Sequence, residues 1–237
     1  MEPTQRCDGH ELYKADCMDV LAQMPDKCLD LICTDVPYKQ HFDGGGMRRN
    51  RPNYKKINEY GSNINLDYQA FFELCLAKLK RVNFFTFCDK ETKFEFIKMA
   101  KERDFGYKEL CFCKTHPTPF CASQWLPDVE FGLHIFKNLD VMGSYKTKRT
   151  FFLMDNFKEN GVPHPSAKKV DVVCKILLNI SQPGDIVCDP FMGSGTTGLA
   201  CHELKRAFVG IEKNEQYFHL AYQRIDGEVR KLQLFTE

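Results

Sequence analysis

The chain carries almost no net charge. Its 33 Lys plus Arg stand against 32 Asp plus Glu in 237 residues, so the overall balance does not announce a nucleic-acid partner. It has no apolar run near the ~18 residues that a membrane-crossing helix needs. The start, MEPTQRCDGHELYK, is too polar for a signal peptide, and a cytoplasmic location is expected. Twelve cysteines are present, yet no C-x-x-C occurs; Cys28 and Cys33 are five apart, Cys111 and Cys113 two apart. Those spacings do not fit zinc, and no metal is expected. Free thiols packed as small apolar side chains in a reducing compartment are the better reading. No internal repeat is visible.

What is present is a core. Apolar residues make up 43% and aromatic residues 13%, with 20 Phe, which fits one sizeable globular domain over residues 1–237. Charge is uneven along the chain. Residues 39 to 60 hold Lys39, Arg48, Arg49, Arg51, Lys55 and Lys56 against Asp43 and Glu59.

Apolar runs alternate with helical patterns. The periodicity predicts helices over 17–24, 66–81 and 90–106, the last closed by Gly106, and strands over 29–34, 82–88, 107–114 and 129–137. The order then repeats: helix 166–180, a turn at Pro183-Gly184, strand 185–190, a glycine turn, helix 196–205, strand 207–212 and a long polar helix over 214–233. Such alternation predicts an α/β fold, a largely parallel sheet with helices on both faces. Two segments break the rhythm. Residues 39–65, with Gly44-Gly45-Gly46, are expected to form a mobile loop, and residues 115–163 are rich in Pro, Gly and basic residues. In such folds these excursions rim the crevice beyond the carboxyl ends of the strands.

The segment DIVCDPFMGSGTTGLA is the most informative. Asp189 ends a strand, and Gly193, Gly195 and Gly198 follow in G-x-G-x-x-G spacing, which lets the backbone turn sharply and approach a ligand. Glu212 ends the next strand, where a carboxylate can accept from ribose hydroxyls. This much suits a nicotinamide dinucleotide as well as any other nucleoside cofactor. Asp189 shifts the balance, because a carboxylate before the glycines repels a pyrophosphate and suits an ammonium group. S-adenosylmethionine has the ammonium, a ribose and no phosphate.

Far upstream, LDLICTDVPYKQ reads as a buried strand stopping at an acid, a proline and a tyrosine. Together, TDVPY, KTHPTPF…DVEFGLHIFK, HPSAKK, DPFMGSGTTG and FVGIE, in that order, resemble the DNA amino-methyltransferases over about Asp16 to Ile225. With the catalytic motif first and the glycine turn last, the chain is similar to their β group, particularly its solitary adenine-specific members. The resemblance implies a three-layer, Rossmann-like methyltransferase sheet in circularly permuted order, within a single catalytic domain. It implies S-adenosylmethionine as cofactor, DNA as substrate and a role in restriction-modification.

Position by position, it implies that Asp189, Phe191, Gly193, Ser194, Gly195 and Thr196 surround the methionine moiety and that Glu212 takes the ribose. Asp16 and Cys17 match the pair at the cofactor's adenine, and an N-cap role for Asp16 is equally compatible. His164, Ser166 and Lys168 match the family's H-P-T-Q-K-P, with Lys169 in place of its last proline. Asp35, Val36, Pro37 and Tyr38 match the catalytic Asp-Pro-Pro-Tyr, and Asp35 also borders the cofactor.

An exocyclic amine is a poor nucleophile because its lone pair is delocalised into the ring. The carboxylate of Asp35 and the carbonyl of Val36 would accept its two hydrogens and free that lone pair to attack the methyl by direct displacement. Tyr38 would stack on a base turned out of the duplex. Val36 departs from the family's proline, but the carbonyl is kept, and Pro37 disfavours a helical backbone at Val36.

Cytosine C5 chemistry is set aside, since no Pro-Cys dipeptide occurs. Asp at the first motif position leans to adenine N6 over cytosine N4. Phosphate contacts are expected from Lys39, Arg48, Arg49, Arg51, Lys55 and Lys56, and from Lys146, Lys148 and Arg149 in KNLDVMGSYKTKR, where a solvated face competes as a reading. Target recognition is expected within 115–163, a short region that a second subunit of a homodimer would supplement. A nicotinamide-dependent oxidoreductase leaves Asp35 to Tyr38 without a role. A weakly active enzyme or a non-catalytic binder of cofactor and DNA stays open because of Val36 and the small recognition region.

Overall fold

Two strands distant in sequence lie side by side at the centre of the molecule: β3 (Leu31–Asp35) and β8 (Ile186–Asp189) pair in parallel, Leu31 opposite Val187 and Ile32 opposite Cys188. The computed structural model describes residues 1–38, 66–117, 125–126, 128–154 and 167–234. Around that pair runs a nine-stranded sheet in the order β1-β2-β9-β8-β3-β4-β6-β5-β7. The strands are β1 (Gln5–Cys7), β2 (His10–Tyr13), β4 (Asn83–Cys88), β5 (Gly106–Lys114), β6 (Val129–Phe136), β7 (Phe151–Met154) and β9 (Ala207–Ile211). From β2 to β4 all neighbours are parallel; β6 runs antiparallel to both β4 and β5.

Among the described residues, six helices cover the two faces: α1 (Cys17–Gln23), α2 (Tyr68–Lys78), α3 (Lys90–Glu102), α4 (Val170–Ile180), α5 (Thr196–Glu203) and α6 (Glu215–Leu234). Strand alternation sorts the core. Ile32 and Phe84 point to a cluster with Leu21, Phe71, Phe72 and Phe96 of α1, α2 and α3, while Leu31, Cys33, Phe85 and Phe87 face Val173, Leu177, Cys201 and Phe218 of α4, α5 and α6. All six residues of NFFTFC in β4 are buried, as a strand covered on both faces requires. This is the three-layer α/β architecture that the alternation predicts.

Three helices begin on an aspartate. Asp16, Asp67 and Asp89 accept from the amides of Met18, Gln69 with Ala70, and Thr92 respectively, meeting donors that the first turn leaves open.

Several bounds differ from the sequence expectation. Helix α3 ends at Glu102 rather than near Gly106, because Asp104 takes the left-handed turn (φ 54°). Gly106 instead opens β5 opposite Phe136, where a Cβ would sit 2.9 Å from that ring. Helix α4 starts at Val170, not 166. Strands β1, β2 and β7 were not expected; β1 (QRC) and β2 (HELY) lie at or next to an edge, where no continuous apolar run is required, and β7 (FFLM) is apolar but only four residues long.

The chain leaves β8 through α5 toward β9 on one side and leaves β3 toward β4 on the other. A crevice opens at such a reversal beyond the carboxyl ends.

Candidate active site

Four carboxylates stand at or just beyond the carboxyl ends of adjacent strands: Asp16 after β2, Glu212 after β9, and Asp189 and Asp35 as the last residues of β8 and β3. Asp189 is buried and accepts from the Thr34 hydroxyl (2.7 Å), the Thr197 hydroxyl (2.6 Å) and the Phe191 amide (3.1 Å). It therefore stitches β3, β8 and α5 together. Burial lifts its pKa to about 6, against the pull of those three donors. Glu212, also buried, accepts from the amides of Gly193 (3.0 Å) and Asn214 (2.7 Å), so the β9 acid itself holds the glycine turn.

The turn needs its glycines for different reasons. Gly195 has φ 80°, and a Cβ there would meet the Cβ of Ala221 on α6 at 2.9 Å. A Cβ on Gly198 would meet Ile225 Cδ1 at 2.5 Å, so this glycine lets α5 close on α6 and β9. Buried Ser194 and Thr196 face each other at 3.3 Å, and Phe191 packs on Phe71 with ring centres 5.4 Å apart. Asp16 is both N-cap and ion-pair partner: Oδ1 accepts from Met18 N and Oδ2 from Lys213 Nζ, each at 3.0 Å. Cys17 is buried, and its thiol is pushed up to about 12 by that burial.

The tip of β3 is built from charges. Asp35 Oδ1 accepts from the Tyr38 hydroxyl at 2.7 Å, and Oδ2 lies 3.1 Å from Lys168 Nζ. The same ammonium lies 3.3 Å from Glu130 Oε2 on β6, and Glu130 Oε1 lies 2.6 Å from Lys114 Nζ on β5. Lys168 also sits 5.0 Å above the Phe87 ring. Burial opposes the charge on Lys168, but Asp35 and Glu130 outweigh it and raise its pKa. The Lys168 charge in turn holds Glu130 down at about 2, against its burial. The Tyr38 hydroxyl is raised by burial and then by Asp35. Val36 is 1% exposed within the core, and the Pro37 carbonyl accepts from Tyr68 OH at 2.7 Å.

The structure thus gathers Asp16, Cys17, Asp35 to Tyr38, Lys168, Asp189, Phe191, Gly193 to Thr196 and Glu212 at one end of the sheet. Lys39, Arg48, Arg49, Arg51, Lys55, Lys56, His164 and Ser166 lie outside the described residues, as does the whole of 39–65. Lys146, Lys148 and Arg149 are exposed but are not brought to this end. Their segment is tied by Met142 N and Thr147 to Asn179, near the end of α4 that leads into the start of β8. Glu130 and Lys114 were not singled out from the sequence. Both lie in the family-like segment KTHPTPF…DVEFGLHIFK, which was the available signal, but neither was named there as a site residue.

Residues 137–223 match the profile of a family described as DNA methylase. The chain is 25% identical, over 90% of its length and 67% of the relative's, to the type II methyltransferase M.HinfI of Haemophilus influenzae. The crystal structure of the M1.HpyAVI–SAM complex superposes with a TM-score of 0.68 at 26% identity, covering 90% of this chain and 98% of that one. The cytosine-N4-specific PvuII DNA methyltransferase shares the fold, with a TM-score of 0.72 at 16% identity, over 97% and 93% of the two chains.

Proposed function

We propose that this chain, which belongs to the S-adenosylmethionine-dependent DNA amino-methyltransferases, methylates the N6 amine of an adenine turned out of the duplex. The observation that carries the reading is the contact between its two halves. The Asp35–Tyr38 tip lies next to the glycine turn across the strand reversal, and the Thr34–Asp189 hydrogen bond of 2.7 Å joins them.

The crevice residues fit the cofactor. Four acids against Lys168 and Lys213 would repel a pyrophosphate and suit an ammonium and a sulfonium. Glu212 and Asp16 would hold the ribose and adenine, and the turn from Phe191 to Thr196 the methionine end. When bound, S-adenosylmethionine supplies an activated methyl group. The chain's own residues then act on the amine. Asp35 accepts one amine hydrogen through a lone pair not engaged by Tyr38 or Lys168, and the Val36 carbonyl accepts the other. With Tyr38 on Oδ1 and Lys168 on Oδ2, the Asp35 carboxylate is fixed in place to orient the amine. The Tyr38 ring would stack on the extruded base while its hydroxyl fixes Asp35.

Aspartate at the head of the motif favours adenine N6, and cytosine N4 is the alternative. A cytoplasmic enzyme of a restriction-modification pair, acting as a homodimer, completes the proposal. No helix among the described residues is long and apolar enough to cross a membrane.

The test is transfer of tritiated methyl from labelled cofactor to mixed-sequence DNA, followed by digestion to nucleosides. Label in N6-methyladenosine is expected. Label in N4-methylcytosine would move the assignment to the other amine. Tight cofactor and DNA binding without transfer would make the chain a binder.

A further inference from the structure

Charges alternate across three strand ends: Asp35 on β3, Lys168 before α4, Glu130 on β6 and Lys114 on β5. Lys168 lies nearly midway between its two acids, at 3.1 and 3.3 Å, so neither takes the whole cation. Its side chain is 14% exposed, against 27% for Asp35 and 32% for Glu130, so the pairs are only partly screened. The Lys168 carbonyl also accepts from Thr196 Oγ1 at 3.3 Å, which ties this hub to the start of α5. One lysine is therefore anchored to the glycine turn by its backbone and to the strand tip by its side chain.

We propose that Glu130 is a positioning residue for the transfer, acting through Lys168 to set the orientation and charge of Asp35, with Lys114 holding Glu130 from the far side. The inference rests on the reading of Asp35 as the acceptor of the target amine. Glu130 draws part of the ammonium away from Asp35, and Lys114 limits how much it draws. Glu130 also lies within electrostatic reach of Tyr38. Among the described residues, the other groups facing Asp35 are the Tyr38 hydroxyl on its own strand tip, Asp189 of β8 and the Cys88 thiol of β4. Of these described groups, Lys168, Glu130 and Lys114 form a line of alternating sign. That geometry predicts opposite responses at its two far members.

Glu130→Gln leaves Lys168 wholly to Asp35, so the Asp35 midpoint in this variant should lie below the parent's. Lys114→Met leaves Glu130 free to pull Lys168 away, so Asp35 should titrate higher. Carbon-13 NMR of aspartate carboxyls in the free protein reads this directly, with the Asp35 resonance assigned by its loss in Asp35→Asn. Single-turnover transfer by Glu130→Gln at saturating cofactor and DNA should fall ~10-fold, the acid limb of its rate profile moving down with the NMR midpoint. Glu130→Asp should restore the limb.

A merely structural ion pair would lower the melting temperature without moving the Asp35 midpoint. If Glu130→Gln does not fold, the upward shift in Lys114→Met carries the test. Parent midpoints in every folded variant of the pair would overturn the inference. Asp35→Asn at the parent rate would overturn the catalytic reading beneath it, and the NMR midpoints separate the two failures.

Discussion

On the β8–β9 side of the crevice, Asp189 and Glu212 are 4% and 3% exposed, and the donors to them are hydroxyls and backbone amides. On the β3–β6 side, the Asp35 and Glu130 side chains are 27% and 32% exposed and are bound by two ammonium groups and a phenol. The first pair is built into the backbone's shape. Its donors belong to the turn and the strands, so removing an acid unpicks the turn. The second pair is held by side chains that can shift with little backbone movement. In the proposed function, shape serves the side that would grip a constant cofactor, and adjustable charge the side that would orient the target nitrogen.

The largest expected effect breaks the comparison on the adjustable side. Asp35→Ala should lower single-turnover methyl transfer by ~10²-fold or more, the scale of losing one preorganised electrostatic group. Its melting temperature should stay close to the parent's, because Lys168 keeps Glu130 as partner. A parent-like rate in a folded variant would remove Asp35 from the chemistry.

On the rigid side the expected signature is stability against pH. Asp189 titrates near 6 in the folded chain instead of the ordinary 3.8, so between those values the folded state binds more protons than the unfolded one. Stability then falls as pH rises through that window, the reverse of an ion-paired carboxylate, by ~3 kcal/mol from this group alone. Asp189→Asn should remove that component. Denaturant unfolding at pH 4 and pH 6 should show the parent losing more than the variant; equal losses would mean that the buried acid ionises without cost.

Glu212→Ala frees the Gly193 and Asn214 amides as well as the proposed ribose contact. Cofactor binding should weaken by ~1–3 kcal/mol, the usual scale for hydrogen bonds to a charged group. Calorimetry giving unchanged affinity in a folded variant would remove Glu212 from the cofactor's grip, both as ribose acceptor and as brace for the turn.

The same contrast explains what was legible in the sequence. The rigid side is written in local signals: a strand, an acid, glycines at fixed spacing, a helix, another strand and acid. Each of these can be read within 27 residues of one segment, 186 to 212. The central strands were readable because burial on both faces demands continuous apolar runs such as NFFTFC. The adjustable side is assembled from β3, β5, β6 and the segment before α4, which no local pattern connects. Asp35 and Tyr38 stood out as a motif, but Glu130 and Lys114 acquire meaning only when β6 and β5 run antiparallel and bring residues 114 and 130 to the same end. The short strands β1 and β7 escaped for another reason. Strand β1 is three residues, QRC, without an apolar pattern, and β7 is the four-residue run FFLM inside a segment otherwise rich in Pro, Gly and basic residues, each too short to establish a period. The end of α3 was misplaced because Gly106, the first residue of β5, was read as a helix stop. Asp104, which takes the left-handed conformation that glycine more often fills, does that work.

The smallest expected effect lies where the two sides meet. Val36 follows the last residue of β3, is 1% exposed, and packs in the core with Phe71 and Phe72 of α2. The proposed mechanism asks of it a carbonyl, and proline retains one. The next residue, Pro37, is held by Tyr68 OH on its carbonyl at 2.7 Å, so the direction of the chain after Val36 is fixed by a neighbour and not by the Val36 side chain. Val36→Pro should therefore change stability by no more than ~1 kcal/mol, stabilising if the native φ lies near −65°, and the transfer rate should persist or rise. Single-turnover rates on one DNA substrate, read beside Asp35→Ala, decide it. A folded Val36→Pro variant without activity would show that the Val36 amide or side chain, and not its carbonyl, is what the strand tip contributes, and the account of the amine held between two acceptors would fall with it.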